Sequence, residues 1–178
     1  MLLSLLASEA PQAMPSSDRI DTPPAQREFS SASGRYRLRI ESLDGWRSPQ
    51  PQASLAQRRA DGRHETLWTR PLPHYHGPRM ALVSDAGQVV LVDEWINVRS
   101  RHALVLLNAS AHELLHATHD QVLAALGVTL DAVASQARLG TWLASAPELT
   151  ANQLHARMGA GGRVLRLELR SGALTVEP

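Results

Sequence analysis

The fold of this chain is set by residues 80–92, which read MALVSDAGQVVLV. Two apolar runs, residues 80–83 and 89–92, flank the sequence Asp85-Ala86-Gly87, whose residues accept turn geometry. Apolar runs on either side of such a turn predict a β-hairpin. Similar turn signals begin at residues 61 and 108, so the three recur at intervals of 24 and 23 residues. This period is typical of meanders and propeller blades.

The same strand pattern occurs towards both ends of the chain. Arg35, Arg37 and Arg39 alternate with apolar residues, which predicts a half-buried strand with a solvated basic face. Residues 164–170 also alternate and lead through Ser171-Gly172 into residues 174–176, which predicts a terminal hairpin.

Two short helices are predicted between about residues 119 and 138. Thr118 and Gln121 have the spacing of a capping box, and Gly127 is a natural stop. Thr129 can cap a second helix, which we expect to end before Gly140. The predicted fold class is therefore mainly β with two short helices. The strands form antiparallel hairpins or a meander, and the architecture is that of a propeller blade or a sandwich.

Composition excludes several classes of protein. The chain has 178 residues, 18 arginines, no lysine, no cysteine and a net charge of +1, and its scattered arginines do not form the field of a nucleic-acid binder. No apolar run approaches the roughly 20 residues of a membrane span. Without cysteine there is no disulfide, thiolate metal site or cysteine nucleophile, and both redox compartments remain open.

Residues 1–28 differ in composition from the rest of the chain. Residues 2–6 are mostly leucine, but no basic segment precedes them, and prolines follow at positions 15, 23 and 24. We interpret residues 1–28 as a disordered tail or the remnant of a signal peptide. Residues 29–178 are then one β-rich domain.

His112-Glu113-Leu114-Leu115-His116 matches the zinc-peptidase pattern H-E-x-x-H. On a helix, residues four apart share a face, so both histidines can bind one Zn²⁺ while Glu113 acts as the general base. Glu148 is the best downstream carboxylate for a third ligand. On a strand, however, the two histidines lie about 13 Å apart, and the turn signal at residue 108 predicts that residues 111–117 are a strand.

Three other groups of residues have chemical potential. Asp93 and Glu94 are adjacent carboxylates, for which we expect a role at a turn or strand edge. His74 and His76 precede Gly77-Pro78, and we expect them in a solvated loop. The four tryptophans are expected to anchor the core.

Several segments together resemble a family. Residues 29–36 read FSSASGRY, residues 82–87 read LVSDAG and residues 92–95 read VDEW, and the chain closes on residues 167–172, LELRSG. This order is similar to that of uncharacterised bacterial exported β-repeat proteins, which are propeller-like and resemble YVTN and WD repeats. The resemblance spans about residues 29–178 and implies a β-sheet fold and export. It supplies no catalytic residues, and Ala111 stands where the family pattern has glycine.

The sequence favours a non-catalytic exported or envelope-associated module, periplasmic or secreted, that interacts with a protein or envelope component; a cytoplasmic location stays open. This expectation includes no catalytic residue, metal or cofactor. The alternative is a small zinc metallopeptidase with Glu113 as base and His112, His116 and Glu148 as metal ligands. The conformation of residues 111–117 distinguishes the two.

Overall fold

The chain folds into three successive four-stranded antiparallel sheets, in a computed structural model that describes residues 21–177. In each sheet the strands pair in chain order, so each sheet is a meander. The first sheet contains β1 (Gln26–Ser30), β2 (Tyr36–Glu41), β3 (Gln52–Arg58) and β4 (His64–Pro71). The middle sheet contains β5 (Pro78–Val83), β6 (Val89–Glu94), β7 (Leu104–Leu107) and β8 (Glu113–Ala117). The third sheet contains β9 (Glu148–Leu149), β10 (His155–Ala160), β11 (Arg163–Glu168) and β12 (Leu174–Val176).

This architecture confirms the prediction of a mainly β antiparallel fold with two short helices. The helices, α1 (His119–Leu126) and α2 (Leu130–Gln136), lie in the chain between the middle and third sheets. Among the described residues, neither helix is long or apolar enough to cross a membrane.

The middle sheet is buried on both faces because it lies between the other two. Val89 and Leu91 of β6 pack in one apolar cluster with residues of the first sheet. Val90 and Val92, which point the opposite way, pack in a second cluster with the helices and the third sheet. A strand covered on both faces loses the alternation of polar and apolar residues, which explains the continuous apolar run of residues 89–92.

The first sheet keeps the predicted alternation. Tyr36, Leu38 and Ile40 are buried against the middle sheet, whereas Arg37 and Arg39 are exposed. The basic stripe is therefore a solvated sheet face.

Both helix starts are confirmed, but the end of α2 differs from the prediction. Thr118 and Gln121 form the reciprocal capping box, and Gly127 ends α1 in the left-handed conformation. The helix α2 ends at Gln136, earlier than predicted, because the backbone N–H groups of Arg138 and Leu139 both donate to the carbonyl of Leu143. That turn takes the chain out of the helix before Gly140.

The first strand begins at Gln26, three residues before the expected start of the domain. Arg27 in this strand pairs with Ile40, and its guanidinium donates to the carbonyl of Pro78 at 2.7 Å and stacks on Trp95. Because the first inward residue of this strand is an arginine, the apolar pattern begins only at Phe29. Residues 1–20 of the predicted tail lie outside the described residues.

Candidate functional site

Three loops meet at one end of the first and middle sheets. They are residues 42–51, which join β2 to β3, residues 72–77, which join β4 to β5, and residues 95–103, which join β6 to β7. In the middle loop, the N–H of His76 donates to Pro49 in the first loop at 2.7 Å, and the carbonyl of Gly77 accepts from Trp95 in the third at 3.0 Å. We call these three loops the loop end.

Two histidines face each other beside the loop end. Nδ1 of His102, at the close of the third loop, lies 2.7 Å from Nε2 of His116 in β8. The other ring nitrogen of His116, Nδ1, lies 3.3 Å from the carboxylate of Glu113. The ring of His74 stacks against that of His102, with centroids 5.4 Å apart and planes tilted by 50°. We call His74, His102 and His116 the histidine cluster.

His74 is the innermost member of the histidine cluster. Its residue is only 1% exposed, and neither ring nitrogen has a hydrogen-bond partner among residues 21–177. Burial, followed by the positive potential of His102, lowers the pKa of His74 to about 3, so its ring is neutral at pH 7. The prediction of a solvated loop is therefore wrong for His74, and His76 is buried as well; both are covered because the three loops pack on one another.

A cavity of about 310 Å³ opens between the first two loops. Its walls come from residues 48–50 and 73–75, and His74 is one of its lining residues. The buried, neutral His74 therefore forms part of the cavity wall, while both of its ring nitrogens stay covered.

Each loop also exposes one large apolar side chain. Leu43 is 71% exposed, Tyr75 is 58% exposed and Val98 is 45% exposed. A single exposed apolar side chain is ordinary on a protein surface, and here each of three contacting loops carries one.

Asp93 and Glu94, at the end of β6, hold the loops in place. The carboxylate of Glu94 accepts from the N–H of Tyr75 at 2.7 Å and from the hydroxyl of Ser100 at 3.2 Å, so it joins the second loop to the third. The carboxylate of Asp93 accepts from the N–H of Thr141 at 3.0 Å, which ties the segment after α2 to the middle sheet.

Both carboxylates have perturbed acidity. Burial raises the pKa of Asp93, and burial together with the charge of Asp93 raises the pKa of Glu94 to about 7. Their position at a strand end agrees with the sequence prediction, but their burial could not be inferred from it. Asp93 also has a φ of 55°, which is an uncommon value outside glycine.

The motif of residues 112–116 lies on a strand instead of a helix. His112 precedes β8, which consists of residues Glu113–Ala117. In this strand, His116 pairs with Val105 of β7. The pairing follows from the turn at Asn108, whose side chain accepts from the N–H of His112 at 2.9 Å. A helical H-E-x-x-H face is therefore not formed.

The remaining peptidase candidate lies in another sheet. Glu148 is in β9, where its carboxylate pairs with Arg157 at 2.9 Å. Within residues 21–177, no three histidine, aspartate or glutamate residues are grouped so that they could hold a metal ion. The proposed ligands His112, His116 and Glu148 are thus not brought together; instead His116 contacts His102 and Glu113.

His102 is the residue of this site that sequence reasoning missed. It stands alone in the sequence Arg-Ser-Arg-His, without a motif. The hairpin register does not identify it either, because Val105 pairs with His116 and His102 lies in the loop before β7.

Comparison with known proteins found no matching family model and no matching curated protein.

Proposed function

We propose that this chain is a non-catalytic, exported or envelope-associated interaction module whose loop end binds a partner protein. The observation that carries the proposal is the presence of Leu43, Tyr75 and Val98 on three loops that hydrogen-bond to one another beside a cavity. Of the three, Tyr75 lines the cavity, and an exposed aromatic side chain at a pocket is a frequent anchor of protein interfaces.

The rigidity of the loop end supports this role. Glu94 fixes the backbone of Tyr75, and Trp46 in the first loop donates to the carbonyl of Pro23 at 2.8 Å. Loops that are already ordered lose little conformational entropy on binding, so more of the contact energy is available as affinity.

Export is supported by the resemblance to exported β-repeat proteins. Four-stranded antiparallel meanders are also the unit of propeller blades, which agrees with the propeller-like character of that family. Fractionation of cells that express the protein from its native gene should place it in the periplasm or the medium, and recovery in the cytoplasm alone would contradict export.

The binding proposal is tested by capture from an envelope extract. The full chain is immobilised beside a variant with Leu43→Ser, Tyr75→Ser and Val98→Ser, and bound proteins are quantified by mass spectrometry. We expect a protein that is captured by the wild type and at least tenfold less by the triple variant.

The matched control is Leu154→Ser, because Leu154 is 57% exposed but lies between β9 and β10 of the third sheet. This variant should capture as much of the same protein as the wild type does. Equal capture by the wild type and the triple variant would contradict binding at the loop end.

A further inference from the structure

We propose that His102 and His116 bind one divalent transition-metal ion, with Glu113 orienting His116. This proposal is independent of partner binding at the loop end. It also differs from the peptidase interpretation, because His112 and Glu148 have no part in it.

The first argument is the position of the two ring nitrogens. Nδ1 of His102 and Nε2 of His116 lie 2.7 Å apart and share one hydrogen bond, so an ion that binds both nitrogens displaces the proton of that bond. Two imidazoles that share an ion at bonds of about 2.0 to 2.1 Å have their nitrogens about 3 Å apart. A small separation of the rings therefore makes room for the ion, and the side chain of His116 is one third exposed, so an ion can reach it from solvent.

The second argument is the carboxylate behind His116. Glu113 lies 3.3 Å from Nδ1 of His116, on the side of the ring opposite His102. Metal-binding histidines commonly donate their second ring N–H to a carboxylate, which fixes the tautomer and directs the free lone pair at the metal. Glu113 thus prepares Nε2 of His116 as a ligand.

Two further groups lie beside these histidines: a carbonyl oxygen, which can act as a metal ligand, and the neutral ring of His74. The carbonyl oxygen of Arg101 lies 3.1 Å from Nε2 of His116, on the same side as His102. The buried ring of His74 packs behind His102 and has no partner for either nitrogen among the described residues. The positive side chain of Arg101 opposes a cation, so we expect moderate affinity.

The donor set determines which ions fit. Imidazole nitrogens favour Cu²⁺, Ni²⁺ and Zn²⁺ over Mg²⁺ and Ca²⁺, which prefer oxygen ligands. Two protein histidines leave coordination positions for water. In the general order of divalent affinities, Cu²⁺ should bind more tightly than Zn²⁺.

The test is a calorimetric titration of the untagged full chain with CuCl₂ and, separately, with ZnCl₂. We expect one ion per chain, bound more tightly for Cu²⁺. His102→Ala and His116→Ala should each weaken binding at least tenfold, and Glu113→Gln should weaken it by about tenfold, as is typical when a partner of a metal ligand is lost.

His112→Ala and His155→Ala are the controls and should bind as the wild type does. His112 belongs to the H-E-x-x-H pattern but precedes β8 and has no part in the proposed site, so its substitution distinguishes this site from a peptidase site. The proposal is overturned if the wild type binds neither ion, if His102→Ala binds normally, or if His112→Ala is as damaging as His116→Ala.

Circular dichroism establishes that each variant is folded before it is titrated. If His102→Ala does not fold, His102→Gln replaces it. If that variant does not fold either, the exposed position His116 decides the question, since normal binding by His116→Ala refutes the site and loss of binding supports it.

Discussion

At the scale of single residues, Glu94 is a buried carboxylate that two loops hold by hydrogen bonds. It accepts from the N–H of Tyr75 and the hydroxyl of Ser100, while the neighbouring charge of Asp93 opposes its ionisation. Because burial raises its pKa to about 7, the folded state binds the proton of Glu94 more tightly than the unfolded chain does. The loop end is therefore coupled to pH through a residue that positions the loops.

Glu94 should make the free energy of unfolding decrease as pH rises from about 4.5 to 7. Its stabilising contribution is full below the pKa of the unfolded chain and is lost as pH rises through the folded value, by about 1.4 kcal/mol per pKa unit. Glu94→Gln removes this loss and can keep both hydrogen bonds, since an amide accepts from Tyr75 and donates to Ser100. Urea unfolding at pH 4.5, 5.5 and 7 should therefore show that the free energy of unfolding of Glu94→Gln increases relative to that of the wild type as pH rises.

The control for this measurement is Glu28→Gln, which removes one exposed carboxylate from the first sheet. A stability difference between Glu94→Gln and the wild type that is the same at all three pH values would refute the assignment.

At the scale of elements, the turn between β5 and β6 connects all three sheets. The carboxylate of Asp85 accepts from the N–H of Ser33 in the first sheet at 2.9 Å and from the amide of Gln153, near the third sheet, at 2.6 Å. The amide of Gln88 donates to the carbonyl of Leu169 at 2.8 Å. This turn lies at the end of the middle sheet opposite the loop end.

Substitution of Gly87 in this turn should destabilise the protein more than substitution of Gly34. Both glycines have positive φ, which costs about 1 to 2 kcal/mol for alanine. A Cβ at Gly87 would lie 2.8 Å from the ring of Tyr36, whereas a Cβ at Gly34 has no atom within 4 Å. Gly87→Ala should therefore cost about 1 to 3 kcal/mol more than Gly34→Ala, measured by urea unfolding. Equal losses would mean that the turn does not pack as described.

The elements predicted correctly are those with local signals. The capping box of Thr118 and the turn at Asp85 depend on residues within a few positions, so the sequence identifies both. The strand β10, residues His155–Ala160, went unpredicted because its inward side chains include Ala156 and Ala160, which give weak alternation. Its position is fixed by pairing with β11, which no local pattern expresses.

The candidate site depends on contacts between distant parts of the chain, so the sequence predicts little of it. His74 is buried by loops whose contact requires both the first and the middle sheets to form. His102 lies in the loop before β7 and contacts His116 through its side chain, beyond the paired residues of β7 and β8. The motif at residues 112–116 is a local pattern that is typical of a helix. It nevertheless forms a strand, because the turn at Asn108 directs the chain back along β7.

At the scale of the whole molecule, the middle sheet is the only layer that contributes to both apolar clusters among the described residues. Leu91 packs towards the first sheet, and Leu106, on the neighbouring strand, packs towards the helices and the third sheet. The outer faces of the first and third sheets carry charged side chains, such as Arg37 and the Arg157–Glu177 pair. The three sheets should therefore unfold as one cooperative unit through the middle layer.

Leu106→Ala tests this cooperativity, because Leu106 is fully buried in the cluster that excludes the first sheet. Loss of a buried leucine side chain costs about 2 to 5 kcal/mol. If the layers unfold together, native-state hydrogen exchange at Leu38 and Leu55 in the first sheet should accelerate by the amount set by the global loss of stability. Leu91→Ala, in the other cluster, should accelerate exchange at Leu38 and Leu55. It should accelerate exchange at Leu165 and Leu167 in the third sheet to the same extent. Exchange in the first sheet that stays unchanged in Leu106→Ala would instead mean that the first sheet is a separate unfolding unit.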